Sequence, residues 1–175
     1  MKTLLIALAI VAAALVILWL VGWWLPRSHR AASRLRLAHP PAMVWAVIRN
    51  QQDVANWWTE VKKVERLPDQ VGQERWRQTL GHSFTMTLLI AESVPQQRMR
   101  TVIDADPGAP FGGAWIFELS PAGEGTEVTI TEEGWVANPF FRVFARLMGH
   151  HRTIDGYLTA LARRFADTAA PTHLP

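Results

Sequence analysis

Residues Leu4 to Leu25 form an unbroken run of 22 residues with no charged, Asn, Gln or Pro side chain. As a helix rising 1.5 Å per residue this run spans about 33 Å, the thickness of a bilayer's hydrocarbon core. Only lipid or other apolar surface can solvate it, so the chain divides into an anchor and whatever folds after it. Trp19, Trp23 and Trp24 gather at its C-terminal end, where indole rings favour the headgroup interface, and Pro26 stops the helix. A cleaved signal peptide is the competing reading, with Lys2 as its charged region and Ala12, Ala13 and Ala14 as small residues for cleavage. Cleavage there would leave Leu15 to Leu25 as an apolar new terminus, and the run exceeds what a signal peptide needs. An uncleaved anchor accounts for more of the residues.

The flanks set orientation and explain the charge. Lys2 stands alone before the run, whereas Arg27, Arg30, Arg34 and Arg36 follow it, which by the positive-inside rule places the following domain in the cytoplasm of a bacterial inner-membrane protein. Arg34 and Arg36 also fit a first strand, so the orientation rests chiefly on Arg27 and Arg30. The formal charge of +3 comes from Lys2, Arg27 and Arg30, because basic and acidic residues balance from Ala31 onward. The domain has no electrostatic attraction for nucleic acid, and the excess charge lies where it meets anionic headgroups. With no Cys, disulfide and thiolate chemistry are excluded.

After a short flank ending near residue 30, one domain is expected over 31–168, followed by a disordered tail at 169–175. Ser33 to Ala38 alternates as a strand. Pro41 opens a helix bearing Val44, Trp45, Val47 and Ile48, and Asp53 to Trp58 reads as a second short helix. The period then becomes two, with strands expected at Glu60 to Arg66, Gln73 to Leu80, Ser83 to Glu92, Arg98 to Asp104, Ala114 to Ser120 and Thr126 to Glu133. Short turns between them predict antiparallel neighbours, with His82 on one hairpin. Asp106 to Gly113 is a roomy loop, either a plain connection or a lip over a cavity, and Phe111-Gly112-Gly113 reads as a turn. Phe140, Phe141, Phe144, Leu147, His151, Ile154, Leu158, Leu161 and Phe165 form a helical stripe that is expected to lie on the sheet, with a break near Gly149.

This order of elements resembles the helix-grip fold of the START superfamily, in particular its polyketide cyclase and dehydrase branch. The resemblance is carried by Ala38-His39-Pro40-Pro41, by the Trp-bearing helix at Asp53 to Trp58, by Val71-Gly72-Gln73-Glu74-Arg75-Trp76, by Pro110-Phe111-Gly112-Gly113-Ala114-Trp115 and by Gly125-Thr126-Glu127-Val128. It implies an α+β domain in which a curved antiparallel sheet of about seven strands surrounds a long C-terminal helix, preceded here by the transmembrane helix. It also implies a cavity between sheet and helix for an apolar small molecule.

Alternation assigns Trp76, Gln78, Phe84, Met86, Leu88, Met99, Thr101, Ile103, Trp115, Phe117, Leu119, Val128, Ile130 and Glu132 to the concave face. Trp76, Phe84, Met86, Met99, Trp115, Phe117, Ile130 and Glu132, with Leu158 from the helix, are the candidate ligand-binding residues, although the same side chains would equally make a solid core. Glu132 is either a general acid or base, a hydrogen-bonding anchor for ligand, or half of an ion pair with an Arg, and Glu133 takes its place if the register slips by one. His151 and Arg77 are the other catalytic candidates. His29, His39 and His173 fall in flanks or turns. Adjacent His150 and His151 point about 100° apart on a helix and cannot chelate one ion together, so neither a metal site nor a cofactor is expected. No nucleophile elbow, Walker loop or Rossmann pattern is present. Trp57 and Trp58 either plug the cavity or touch the bilayer.

These readings favour a membrane-anchored binding or transfer protein for a lipid or isoprenoid quinone. The alternatives are a cyclase or aromatase-like enzyme using Glu132, and a domain without a ligand that recognises a protein partner.

Overall fold

The computed structural model describes residues 1–81 and 83–175, so His82, expected on a hairpin, lies outside the described residues. Helix α1 (Lys2–Trp24) is followed by β1 (Ser28–Leu37), α2 (Pro41–Arg49), a 3-10 turn (Gln51–Asp53) and α3 (Val54–Trp57). The meander β2 (Val61–Gln70), β3 (Gln73–Leu80), β4 (Phe84–Val94), β5 (Arg98–Ile103), β6 (Phe111–Ala122) and β7 (Gly125–Val136) comes next. Helices α4 (Pro139–Met148) and α5 (Arg152–Arg164) and a short strand β8 (Thr172–Leu174) complete the chain. All strand pairs are antiparallel, in the order β2-β3-β4-β5-β6-β7-β1-β8.

The concave face carries the side chains that alternation assigns to it. Leu35, Met99, Val128 and Ile130 are fully buried there beneath Ile154, Leu158 and Leu161 of α5, and Val44 and Ile48 of α2 close one end. This is the helix-grip arrangement, a curved sheet closed around its C-terminal helix.

Four expectations change. Strand β1 begins at Ser28, inside the flank assigned to the anchor, because Ser28 pairs with Trp135 at the far end of β7. Residues 169–175 are not all tail: Thr172–Leu174 pair with the free edge of β1, which makes the sheet eight-stranded. Phe111 to Gly113 are not a turn but the start of β6, opposite Val136 to Gly134. The apolar stripe breaks at Gly149 as expected, where φ 82° redirects the chain, but it does not lie on the sheet along its whole length. Only the α5 half lies on the sheet. In α4, Phe141, Phe144 and Leu147 are 58%, 56% and 77% exposed, while Arg142 is 5% exposed. The Asn138 side chain caps this helix by accepting from the Phe140 N–H at 2.9 Å, so its start is fixed locally.

Candidate functional site

Strands β3 to β7 diverge from α5 toward the end of the domain that carries α4, and they leave a cavity of about 410 Å³ there. Of the expected binding residues, Phe84, Met86, Trp115, Phe117 and Glu132 line it. Trp76, Met99, Ile130 and Leu158 do not, since they fill the core where α2 and α5 cover the sheet. All eight sheet positions face inward as alternation requires. What alternation cannot give is how far along each strand the helix remains in contact. The cavity also distinguishes the domain from a solid core.

Glu132 sits in the row Thr101, Trp115, Glu132 of neighbouring strands. Its Oε2 accepts the Trp115 Nε1–H at 2.8 Å and its Oε1 accepts the His29 Nε2–H at 3.0 Å. The partner is therefore His29, which lies in β1 rather than in a flank, and not an arginine. Glu133 faces outward, 3.9 Å from Arg30, so the register has not slipped. The His29 ring lies over Gly134, where any side chain would collide with it, and stacks on His150 at 4.3 Å. Burial, with a smaller contribution from neighbouring His29, holds His150 below its ordinary value, which keeps it neutral near pH 7. A carboxylate bonded to an imidazole at a cavity wall can anchor a ligand hydroxyl or accept a proton.

Three further polar atoms in the wall make no hydrogen bond among the described residues: Trp58 Nε1, Gln78 Oε1 and Tyr157 Oη. All three side chains are buried, and Tyr157 packs edge-on against Trp58 at 5.1 Å. Burial pushes the Tyr157 phenol up, so it stays a neutral donor. Unpaired buried groups of this kind destabilise a domain unless something polar meets them. Trp58 thus belongs to the cavity wall, and Trp57 is buried beside Tyr157. The sequence reading overlooked Tyr157, the chain's one tyrosine, although it adjoins Leu158 on the inward side of α5.

At the mouth, Phe84, Trp135 and Met148 line the cavity and are also exposed. A Cβ at Gly112 would approach the Trp135 indole to 2.7 Å, so this glycine lets the ring lie flat across β6.

The other catalytic candidates lie elsewhere. Arg77 is exposed and away from the cavity. His151 faces Ser33, whose Oγ donates to Asp155 Oδ1 at 2.6 Å and lies 3.2 Å from His151 Nδ1. His173 Nε2–H donates to Asp155 Oδ2 at 2.8 Å. The donor atoms of His151, Asp155 and His173 lie within 4.8 Å of one another, a set whose chemistry fits a divalent transition ion. The sequence reading dismissed chelation by the adjacent pair His150 and His151. It missed the one-turn spacing of His151 and Asp155, and β8 supplies the third group through the pairing of His173 with Ser33.

Residues 28–170 match the family described as polyketide cyclase / dehydrase and lipid transport. The chain belongs to this family. Among solved structures, this family member is similar to the Zhui aromatase/cyclase from Streptomyces sp. R1128, with TM-score 0.67, 16% identity and coverage of 81% of this chain and 97% of that one. A protein from Thermus thermophilus aligns with TM-score 0.64 at 19% identity, covering 79% of this chain and 97% of its own. A START superfamily protein from Mycobacterium smegmatis aligns with TM-score 0.63 at 16% identity, covering 78% and 96%. At these identities the likeness establishes the helix-grip fold. A search of curated proteins returns no match. Family and cavity together describe a domain for hydrophobic ligands, attached to one N-terminal helix that is long and apolar enough to cross a membrane.

Proposed function

We propose that this protein is a membrane-anchored carrier that takes a mainly apolar molecule of the lipid or isoprenoid-quinone class from the bilayer and holds it between the sheet and α5. The observation that carries this reading is the inverted polarity of α4. Its exposed side is Phe141, Phe144, Leu147 and Met148, and its buried side bears Arg142. A helix with this polarity is stable at a lipid interface rather than in water. It packs against the end of α1, where a side chain on Gly22 would clash with Pro139, so the exposed apolar face continues the surface of the anchor. Met148 belongs both to that face and to the cavity mouth. An apolar ligand can then pass from lipid to cavity without crossing water, and Trp58, Gln78 and Tyr157 offer hydrogen bonds to one polar group on it. Arg27 and Arg30 beyond the anchor favour a cytoplasmic domain, which a C-terminal reporter active only in the periplasm would refute.

Native mass spectrometry of the full chain extracted from membranes tests the carrier reading. A co-purifying lipid or quinone that is lost when bulky residues fill the cavity, as in Thr101→Trp, is the expected result. A chain that emerges empty and binds none of these molecules refutes it.

The hydrogen-bonded His29 and Glu132 pair favours a second reading, a cyclase-like enzyme in which Glu132 takes a proton from the substrate. Turnover of an aromatic precursor that disappears in Glu132→Gln, in a variant that still unfolds cooperatively, would select it.

A further inference from the structure

A second cavity of about 250 Å³ lies between the α1–β1 connection and α4. Its charged lining is Arg27, Arg30, Arg142 and Arg146; the imidazoles of His29 and His150 also line it, and among the described residues no carboxylate does. The N–H groups of Arg142 are directed at backbone carbonyls, so it contributes charge rather than free donors. Arg27 and Arg146 form no ion pair among the described residues, and the carboxylate nearest Arg30 is that of Glu133 at 3.9 Å. Four like charges around one notch repel one another, and an anion relieves that repulsion.

The position of the notch is as informative as its charge. Leu25 and Pro26 form part of its wall, which sets it at the Trp-bearing end of α1. His29, Val136, Ala145 and His150 line both this notch and the larger cavity, so a single layer of side chains separates them. For one molecule to fill both, its link to the head has to pass this layer, which includes the stacked His29 and His150 rings.

We propose that the notch is a headgroup site for a phosphate-bearing amphiphile, which makes the carried molecule an anionic lipid rather than a neutral one. The inference rests on the carrier reading and narrows it. Arg27 and Arg146 supply planar N–H pairs suited to two phosphate oxygens, and Arg30 adds charge from β1. A neutral quinone or diglyceride would leave these arginines unpaired.

The test uses the full chain, delipidated in a neutral detergent, and two probes with the same acyl chain: lysophosphatidic acid and monoacylglycerol. The wild type is expected to bind the phosphate-bearing probe at least about ten-fold more tightly. In an Arg27→Gln, Arg146→Gln double variant that ratio should fall to near one, whereas Arg163→Gln, on exposed α5 surface, should keep it. Equal affinity for both probes, or a preference that survives the double variant, would overturn the headgroup site while leaving the carrier reading intact. Failure to bind either probe would instead count against the carrier reading. Inorganic phosphate binding as tightly as the amphiphile would overturn the lipid assignment in favour of a soluble anion.

Discussion

Arg142 Nη1 donates to the carbonyl oxygen of Gly22 at 3.1 Å, tying the last turn of α1 to the inner side of α4. The same side chain donates from Nε to Val136 O at 2.8 Å and from Nη2 to Ala137 O at 2.6 Å. The last carbonyls of a helix have no partner within it and carry its negative dipole end, so a buried guanidinium there is both hydrogen-bonded and electrostatically favoured. The arginine thus fixes α1 and α4 as one unit.

Arg142→Ala should therefore loosen α4 from α1. Removing the charge strands at least three carbonyls in a partly buried site, an expected loss of about 3 kcal/mol. Arg142→Lys should recover only part of it, because one ammonium cannot reach carbonyls that diverge around a planar fork. Denaturant unfolding in detergent, with amide exchange followed across α4, reads both effects. Unchanged exchange in Arg142→Ala would show that the clamp does not hold the helix.

Tyr157→Phe gives the cavity a test with two opposite signs. The hydroxyl has no partner among the described residues, so its removal should leave stability unchanged or raise it by up to about 1 kcal/mol. If the ligand carries a polar group that meets the phenol, affinity should fall about five-fold or more at the same time. Thermal unfolding of ligand-free protein and a binding titration separate the two. A fall in stability without a change in affinity would assign the hydroxyl to the fold.

Glu132 bears on both fold and site. Glu132→Ala leaves the Trp115 indole N–H and His29 without their shared acceptor, with an expected loss of about 2 kcal/mol. Glu132→Gln keeps an acceptor for Trp115 and should lose less than half of that. Equal losses in the two variants, measured by urea unfolding, would mean that the carboxylate's charge toward His29 outweighs the hydrogen bond to Trp115.

The inward face of the sheet was legible because a period of two allows few alternatives once Val128 and Ile130 are buried, and Glu132 followed from it. The fate of Phe141, Phe144 and Leu147 was not, because a stripe records which side of a helix avoids water and not what covers it. Lipid and sheet demand the same residues. The roles of His29, Tyr157, His173 and the notch arginines escaped the sequence reading for another reason. Their partners come from more than 100 residues away, as with His29 and Glu132, or from strands whose pairing no local pattern fixes. Gly112 reads as a turn residue because glycine is ambiguous in sequence, and Gly134 drew no reading at all. In the structure they make room for the rings of Trp135 and His29.

The Arg49 and Glu74 ion pair joins α2 to β3 and makes acid sensitivity predictable. The Arg49 hydrogen bond is the main reason the Glu74 carboxyl lies below its ordinary value of 4.5; partial burial opposes the shift, and the Trp76 indole N–H at 3.2 Å assists it. A carboxyl whose folded value is depressed binds protons more readily in the unfolded chain. Its contribution is therefore complete above the unfolded value and is lost as pH falls through the folded one. Because the pair is partly exposed, that contribution should be no more than about 1 kcal/mol. Urea unfolding from pH 7 down to pH 3 should show wild type and Arg49→Met separated at neutral pH and converging as pH falls below the carboxyl's ordinary value of 4.5. Parallel curves over that range would mean that the Glu74 carboxyl owes its low value to something other than Arg49.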